Sequence, residues 1–318
     1  MINAIILTIF CVSIFFIVWN KVPRSIVALI GALLLVFIGE YFHVFTQEEA
    51  LHSIDFNTVG LLLGMMILVT IIKQTGFLNY VAIISAKASR GNLYTLMIIL
   101  GIVTAFLSML LDNVTTLVII GPMTILIADI LGVSVIPFLL TEVVFSNIGG
   151  VGTLIGDPPN IMIASAADFT FNDFLVHTFP IVCFVLIILV GIAAFLFRKD
   201  LRMKEDNFEA VMKMDQKKAI KGKRGIKRSL GCLLMVIAMF MLHNVFPFEP
   251  AFIALFGASV ALVLVQPDPD SIFREVEWDV LFFFAALFVI VGAADQTGIF
   301  TLIAEKVTAL GTHNFELC

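Results

Sequence analysis

Two polar stretches lie inside otherwise apolar sequence between residues 109 and 163. The stretch at 112–116 reads Asp-Asn-Val-Thr-Thr, and the stretch at 146–160 contains four glycines, two consecutive prolines and an aspartate. Hydrocarbon does not tolerate unpaired backbone groups unless protein surrounds them or they line a cavity. Ionisable side chains at that depth are costly and mark functional sites by default. We therefore expect the function of this chain to reside in these two stretches.

The stretch at 112–116 supplies a carboxylate, an amide and two hydroxyls at a predicted helix break. Backbone carbonyls freed at such a break can coordinate Na+, and freed N–H groups with the half-helix dipole can hold an anion. Asp112 can instead carry a coupling proton. A structural role is the alternative, because Asp112 and Asn113 are good N-cap residues and would satisfy the amides of Thr115 and Thr116.

The stretch at 146–160 predicts an interrupted helix. Pro158 and Pro159 lack a donor N–H, so that a helix cannot run unbroken across them. Glycines here permit close backbone approach and unusual dihedral angles. A simple loop outside the membrane is the alternative, but the apolar flanks are too short to span alone. The residues of this stretch that we expect at the site are Asn147, Gly149, Gly150, Asp157 and Asn160.

Glu142 lies on the apolar approach to the break. As a lone buried acid it can relay protons, or it can pair with Lys73 or a polar backbone group. The cysteines and histidines are dispersed, so we expect no metal site and no cofactor beyond a transported or coupling ion. No arrangement of side chains typical of an intramembrane hydrolase is present, and we expect no enzyme.

Composition predicts the elements that must position these side chains. The chain is 60% hydrophobic and 14% charged, with a mean hydropathy of +1.09. These values exclude a soluble domain and indicate an all-α integral membrane protein. The first span looks retained, because its flank lacks a basic region and a cleavage site. Predicted spans lie near 2–19, 25–44, 57–72, 135–165, 175–197, 230–246, 251–266 and 279–294.

We expect three regions along the chain. The first transmembrane repeat covers 1–197 and includes a re-entrant hairpin at 93–128 and the broken helix at 135–165. A basic cytoplasmic loop follows at 198–229, and 230–318 forms a partial second repeat. The alternative to the hairpin is two ordinary spans with the polar pair in a loop.

Charge placement predicts the orientation. The segment Arg198–Arg228 carries 12 of the 19 Lys and Arg residues but only 5 of the 24 Asp and Glu residues. Positive charge accumulates on the cytoplasmic side, which favours a cytoplasmic loop over a nucleic-acid patch. With the N-terminus outside a plasma membrane, 18 of the 19 basic residues lie inside. The same count results if the hairpin is two spans.

Short segments recur at nearly constant spacing, which predicts an inverted-topology repeat of the kind common in secondary transporters. In the predicted topology the two copies run in opposite directions. At the same spacing, Asp112 and Asn113 should recur near position 334, so we expect the natural chain to continue past Cys318. The pairs are 26–32 with 252–258 at an offset of 226, and 54–56 with 276–278 and 74–76 with 296–298 at an offset of 222.

Both polar motifs resemble the ion transporter superfamily, specifically the ArsB/NhaD branch that includes the pigmentation P proteins. Residues 111–116 with Pro122 resemble its first hairpin tip, and 146–150 with 156–163 resemble its broken fifth helix. The citrate and dicarboxylate transporters are less similar, because their hairpin tips usually carry Ser-Asn-Thr.

This resemblance implies a secondary active transporter, commonly a homodimer in the bilayer, that slides a transport domain. We expect arsenite or antimonite efflux or sodium/proton antiport, coupled to H+ or Na+. The alternatives are an organic anion transporter of the citrate type and a non-transporting membrane subunit or fragment. The residues that the resemblance places at the ion site are Asn113, Thr115, Asn147, Gly149, Gly150, Asp157 and Asn160.

Overall fold

The computed structural model describes residues 2–167, 169–198, 211–212, 220, 223–242 and 248–312. Regular structure in these residues is helical throughout, which confirms the predicted all-α class. The helices are, in chain order, α1 Ile2–Trp19, α2 Arg24–Tyr41, α3 Gln47–Ser53, α4 Phe56–Gln74, α5 Phe77–Ala88, α6 Leu93–Ser108, α7 Asn113–Leu131, α8 Ile136–Gly150, α9 Pro158–Ala167, α10 Phe171–Leu196, α11 Lys223–Met241, α12 Pro250–Val265, α13 Pro269–Glu275, α14 Trp278–Asp295 and α15 Ile299–Thr312.

Six of the described helices (α1, α2, α4, α7, α10 and α14) are long and apolar enough to cross a membrane. Each has at least 18 residues, close to the roughly 20 that a bilayer core requires. Four shorter helices (α5, α6, α8 and α12) are also apolar. The chain is therefore a multi-pass membrane protein.

Three predicted spans differ by several residues from the helices found, and the one expected at 175–197 begins earlier, at Phe171. The span expected at 25–44 ends at Tyr41, because His43 takes a left-handed φ of 56° that a helix cannot include. The span expected at 230–246 begins at Lys223, within the predicted basic loop 198–229. Most residues of that loop lie outside the described residues, and so do two other segments, 243–247 and 313–318.

The described chain divides into two units, of which the first comprises Met1–Val59 with Glu277–Cys318. Its core forms where α2 packs against α14, with α1 and α3 alongside. Gly31 allows this approach, since a Cβ there would lie 3.3 Å from Ile290. Ser25 of α2 also donates a hydrogen bond to the Asp279 carboxylate of α14.

The second unit, Gly60–Val276, contains the polar motifs. One part of it pairs α4 with α12 through two glycines of α4. A Cβ at Gly64 would lie 2.8 Å from the Ala254 Cβ, and one at Gly60 would lie 3.0 Å from the Ala251 Cβ. Small residues at this spacing let helix backbones approach closely in membranes. The other part packs α8 against α6, α7 and α10.

Helix order repeats along the chain, since α1–α5 and α11–α15 follow the same sequence of long and short elements. The short helices α3 and α13 both have seven residues, and Gln47 and Pro269 begin them at the predicted offset of 222. Their packing is reciprocal, because α2 contacts α14 in the first unit and α12 contacts α4 in the second. Opposite membrane orientation of the two copies stays a prediction.

Candidate functional site

The polar pair at 112–113 marks a turn between two helices. Helix α6 ends at Ser108 and α7 begins at Asn113. Asp112 is the N-cap of α7, and its Oδ1 accepts a hydrogen bond of 2.7 Å from the Thr115 N–H. The Thr116 N–H donates to the Asp112 carbonyl at 3.1 Å. Asp112 therefore has the structural role expected of an N-cap, which leaves its other carboxylate oxygen and its charge available.

A second interruption separates α8 from α9. Helix α8 ends at Gly150, and α9 begins with Pro158 and Pro159. Proline is well suited to the first helical positions, where the N–H group has no partner within the helix. The seven residues between them follow no helical path. The predicted hairpin 93–128 corresponds to α6 and α7, and its entry and exit on one membrane face stay a prediction.

Asn160 closes the second interruption. Its Nδ2 donates to the Gly150 carbonyl and to the Thr153 carbonyl, both at 2.9 Å, and the residue is 7% exposed. These bonds satisfy two backbone acceptors that the break removes from the helix ladder. The predicted ligand Asn160 therefore supports the backbone of the break through its amide nitrogen.

Side chains tie the two interruptions together. Asn113 at the start of α7 donates through Nδ2 to the Asn147 Oδ1 of α8 at 2.9 Å. Thr153 within the break donates to the Met109 carbonyl of the α6–α7 turn. Ser108 at the end of α6 donates to the Ser146 carbonyl at 2.8 Å. The predicted residues Asn113 and Asn147 are thus in direct contact.

Close backbone contact between α6 and α8 requires glycine. A Cβ at Gly149 would lie 2.7 Å from the Ala105 Cα, and a Cβ at Gly156 would lie 2.8 Å from the Ser108 carbonyl oxygen. Real Cβ atoms essentially never approach so closely, so side chains are excluded at both positions. Gly150 is also buried, and a Cβ there would lie 3.1 Å from the Gly156 carbonyl oxygen. Gly149 and Gly150 thus act through packing.

Four helix ends meet at this pair of interruptions. Helices α7 and α9 begin there, while α6 and α8 end there. The N-termini carry partial positive charge and the C-termini carry partial negative charge. Asp112 and Asp157 each precede the first residue of a helix, and their carboxylates repel one another. A small cation near both carboxylates would relieve that repulsion, and the amide oxygens add uncharged ligands.

Glu142 of α8 is fully buried within this helical layer. Its Oε1 accepts a hydrogen bond of 2.6 Å from the Thr124 hydroxyl of α7. Pairing with Lys73 is wrong, because the Lys73 Nζ lies 2.8 Å from a Glu275 Oε2. The lysine therefore cannot neutralise Glu142.

Three residues of this region were not predicted from the sequence. Ser108, Thr153 and Thr124 join the helices through their hydroxyls. Thr153 lies within the glycine-rich stretch, and Ser108 directly precedes the α6–α7 turn. Their closeness to the two polar motifs could have indicated that they belong to the site. Thr124 stands alone in an apolar helix, and only the fold brings it to Glu142.

Comparison with known proteins gives the family relationships. A family described as citrate transporter matches residues 14–315. An uncharacterized transporter of Mycobacterium tuberculosis is 39% identical over 98% of this chain and 72% of its own length. The 46 kDa membrane protein of Mycobacterium leprae is 37% identical over 98% of this chain and 73% of its own. The P protein of Sus scrofa is 29% identical over 92% of this chain, which spans 43% of that protein.

Proposed function

The chain belongs to the citrate transporter family and is a membrane transporter, and from this premise we propose secondary active transport of inorganic ions coupled to H+ or Na+. Arsenite or antimonite efflux and sodium/proton antiport are the two forms of this proposal. The observation that supports it is the hydrogen bond between Asn113 and Asn147, which joins two helix interruptions. Such interruptions are the usual location of substrate and coupling-ion sites in transporters with internal repeats.

In this proposal the acids and amides have different tasks. Asp112 and Asp157 bind the cation or proton, since each is a carboxylate at the mouth of an interruption. Asn113, Thr115 and Asn147 contribute uncharged oxygen ligands. The remaining members of the site hold its backbone in place, and they are Thr116, Gly149, Gly150 and Asn160.

A second candidate is an organic anion transporter of the citrate type. The description of the matching family favours this candidate. The N-termini of α7 and α9 are suited to it, because helix N-termini attract carboxylates. The two carboxylates, Asp112 and Asp157, disfavour it unless a bound cation neutralises them.

The proposed setting is a homodimer in a plasma membrane, with the lipid bilayer as the surrounding partner. The N-terminus lies outside and 198–229 lies in the cytoplasm. No nucleic-acid partner is proposed, since the basic segment is explained by its membrane side.

Flux into proteoliposomes that contain the purified full chain tests this function. Arsenite, Na+/H+ exchange and citrate are measured side by side under imposed pH and Na+ gradients, with protein-free liposomes as the control. We expect accumulation of one inorganic ion against its gradient. Citrate accumulation would replace the leading proposal with the second candidate, and no gradient-driven flux of any of the three would overturn both.

A further inference from the structure

Glu142 of α8 is the one acidic or basic residue that is buried in the described part of the chain, with 0% of its surface exposed. Its two carboxyl oxygens differ. Oε1 accepts a hydrogen bond of 2.6 Å from the Thr124 hydroxyl of α7, whereas Oε2 is buried without a hydrogen-bond partner. Since buried polar groups in native proteins are nearly always bonded, the unpaired carboxyl oxygen requires an explanation.

Apolar side chains flank this bonded pair on both helices. Residues three or four apart lie on the same face of a helix, one turn from each other. The apolar neighbours one turn before and after the pair are all 1% exposed, and they are Phe138 and Phe145 in α8 and Ile120 and Ile127 in α7. The carboxyl group of Glu142 therefore lies between apolar parts of both helix faces.

The nearest hydroxyls along α8 are engaged with backbone carbonyls. The Thr141 hydroxyl donates to the Pro137 carbonyl at 2.7 Å, and the Ser146 hydroxyl donates to the Val143 carbonyl at 3.0 Å. A hydroxyl has a single hydrogen to donate. Neither hydroxyl therefore donates to Glu142 while these bonds are in place.

The helices that pack against α8 offer no counter-charge within the described residues. Helices α6, α7 and α10 are those neighbours. Their titratable groups have other partners, lie near the surface or carry no positive charge, and they are Tyr94 of α6, Asp112 and Asp129 at the two ends of α7, and Asp173, His177 and Cys183 of α10. An ionised carboxylate that is buried without a counter-charge is costly.

We propose that Glu142 binds one proton on Oε2, while Oε1 remains the carbonyl oxygen that accepts from Thr124. A neutral acid with one unpaired hydroxyl costs far less in apolar surroundings than an unpaired charge. Na+ fits less well, because a metal cation needs several oxygen ligands and the Thr124 hydroxyl is the one partner that the described residues give this carboxyl group.

This proton site lies close to the joined interruptions. Glu142 precedes Asn147 by five residues in α8, which is about 7.5 Å along a helix axis. Asn147 is the α8 residue that bonds Asn113. The further role of Glu142 as the carrier of the coupling proton rests on the proposed transport function.

Infrared spectroscopy of the purified full chain tests the proton site without any transport measurement. Exposed carboxyl groups are ionised at neutral pH, so a protonated carboxyl band at that pH reports a buried neutral acid. We expect this band in the wild type, its loss in Glu142→Gln and its retention in Asp129→Asn, which removes an exposed acid of α7. Identical spectra for the wild type and Glu142→Gln would overturn the site.

Thr124→Val keeps the test valid if Glu142→Gln fails to fold, because it retains the acid and removes its bonded hydroxyl. Loss of a hydrogen bond to a carbonyl oxygen raises the stretching frequency of that carbonyl, so we expect the band to move to higher wavenumber. An unmoved band would contradict the assignment of Oε1 as the carbonyl oxygen. Replacement of choline chloride by NaCl should leave the wild-type band unchanged, and its disappearance in NaCl would overturn the assignment to H+.

Flux in proteoliposomes tests the coupling role separately. We expect an imposed pH gradient to drive transport by the wild type and by Asp129→Asn, but not by Glu142→Gln, which has no carboxyl proton to release. A response of Glu142→Gln equal to that of the wild type would overturn the coupling role, whereas the spectra alone decide the proton site. Absence of flux in the wild type would overturn the proposed transport function instead.

Discussion

Asn160 connects the two sides of the broken helix through a single amide group. Replacement by alanine removes both donated bonds and leaves the Gly150 and Thr153 carbonyls buried without partners. An unsatisfied buried acceptor costs about 1–3 kcal/mol. We predict that Asn160→Ala destabilises the protein by at least that amount, measured as thermal unfolding in detergent.

Asn172→Ala is the matched control, because the Asn172 amide also donates to a backbone carbonyl, that of Met241 at 2.9 Å, but at the protein surface. Water can replace that bond, so the loss should be about 1 kcal/mol or less. Equal destabilisation by the two variants would contradict the claim that Asn160 stabilises the backbone between α8 and α9.

Asn113 and Asn147 share one hydrogen bond between the two interruptions. We predict that alanine at either position raises the KM for the transported ion by about tenfold, equivalent to about 1.4 kcal/mol. The double variant should raise it by much less than the product of the single effects, because either change already breaks the shared bond. Multiplicative effects in flux measurements would show that the two amides act independently.

At the scale of elements, the packing of α6 on α8 depends on Gly149. An alanine Cβ there would collide with the Ala105 backbone, which cannot rotate away as a side chain can. Overpacking of this kind costs about 1–3 kcal/mol. We predict that Gly149→Ala lowers the unfolding temperature and reduces transport.

Gly191→Ala in α10 is the control for that substitution. A Cβ at Gly191 meets nothing within 4 Å. Alanine should therefore leave stability unchanged or raise it by up to about 1 kcal/mol through its better helix propensity. A Gly149→Ala protein as stable and active as Gly191→Ala would contradict the close contact described for α6 and α8.

Elements of this fold were predictable where the backbone chemistry is local. Pro158 and Pro159 begin α9, where their missing N–H donors are tolerated, and Asp112 caps α7 through its own side chain. The contact between Asn113 and Asn147 was not predictable, because it depends on how α7 packs against α8. The short helix α3 was also missed, although Thr46 and Glu49 form a capping box that the sequence displays.

At the scale of the whole molecule, the superfamily resemblance is confirmed by the family match and by the P protein relative. The starts of α3 and α13 and of α4 and α14 recur at an offset of 222, while the inverted orientation of the two copies stays a prediction. The exchange of partners, α2 with α14 and α12 with α4, could not be read from the sequence. Apolar helix faces look alike in composition, so periodicity does not specify which pair will meet.

The predicted orientation is tested by cysteine labelling in intact cells. We expect Gln47→Cys, between the second and third predicted spans, to react with a membrane-impermeant maleimide added outside. Lys217→Cys in the basic segment should react only after the membrane is opened, because positive charge is retained in the cytoplasm. Both variants are made after the native cysteines are replaced by serine. The reverse labelling pattern would show that the predicted orientation is wrong.

Flux through the Asp112→Asn variant tests the central claim, that the joined interruptions form the ion site. Asparagine caps a helix about as well as aspartate, so this change removes the charge while it retains the bond to the Thr115 N–H. Asp129→Asn removes an exposed acid from the same helix and serves as the control. In proteoliposomes with equal amounts of inserted protein, we predict coupled transport by the wild type and Asp129→Asn and none by Asp112→Asn. Wild-type flux through Asp112→Asn would contradict this account.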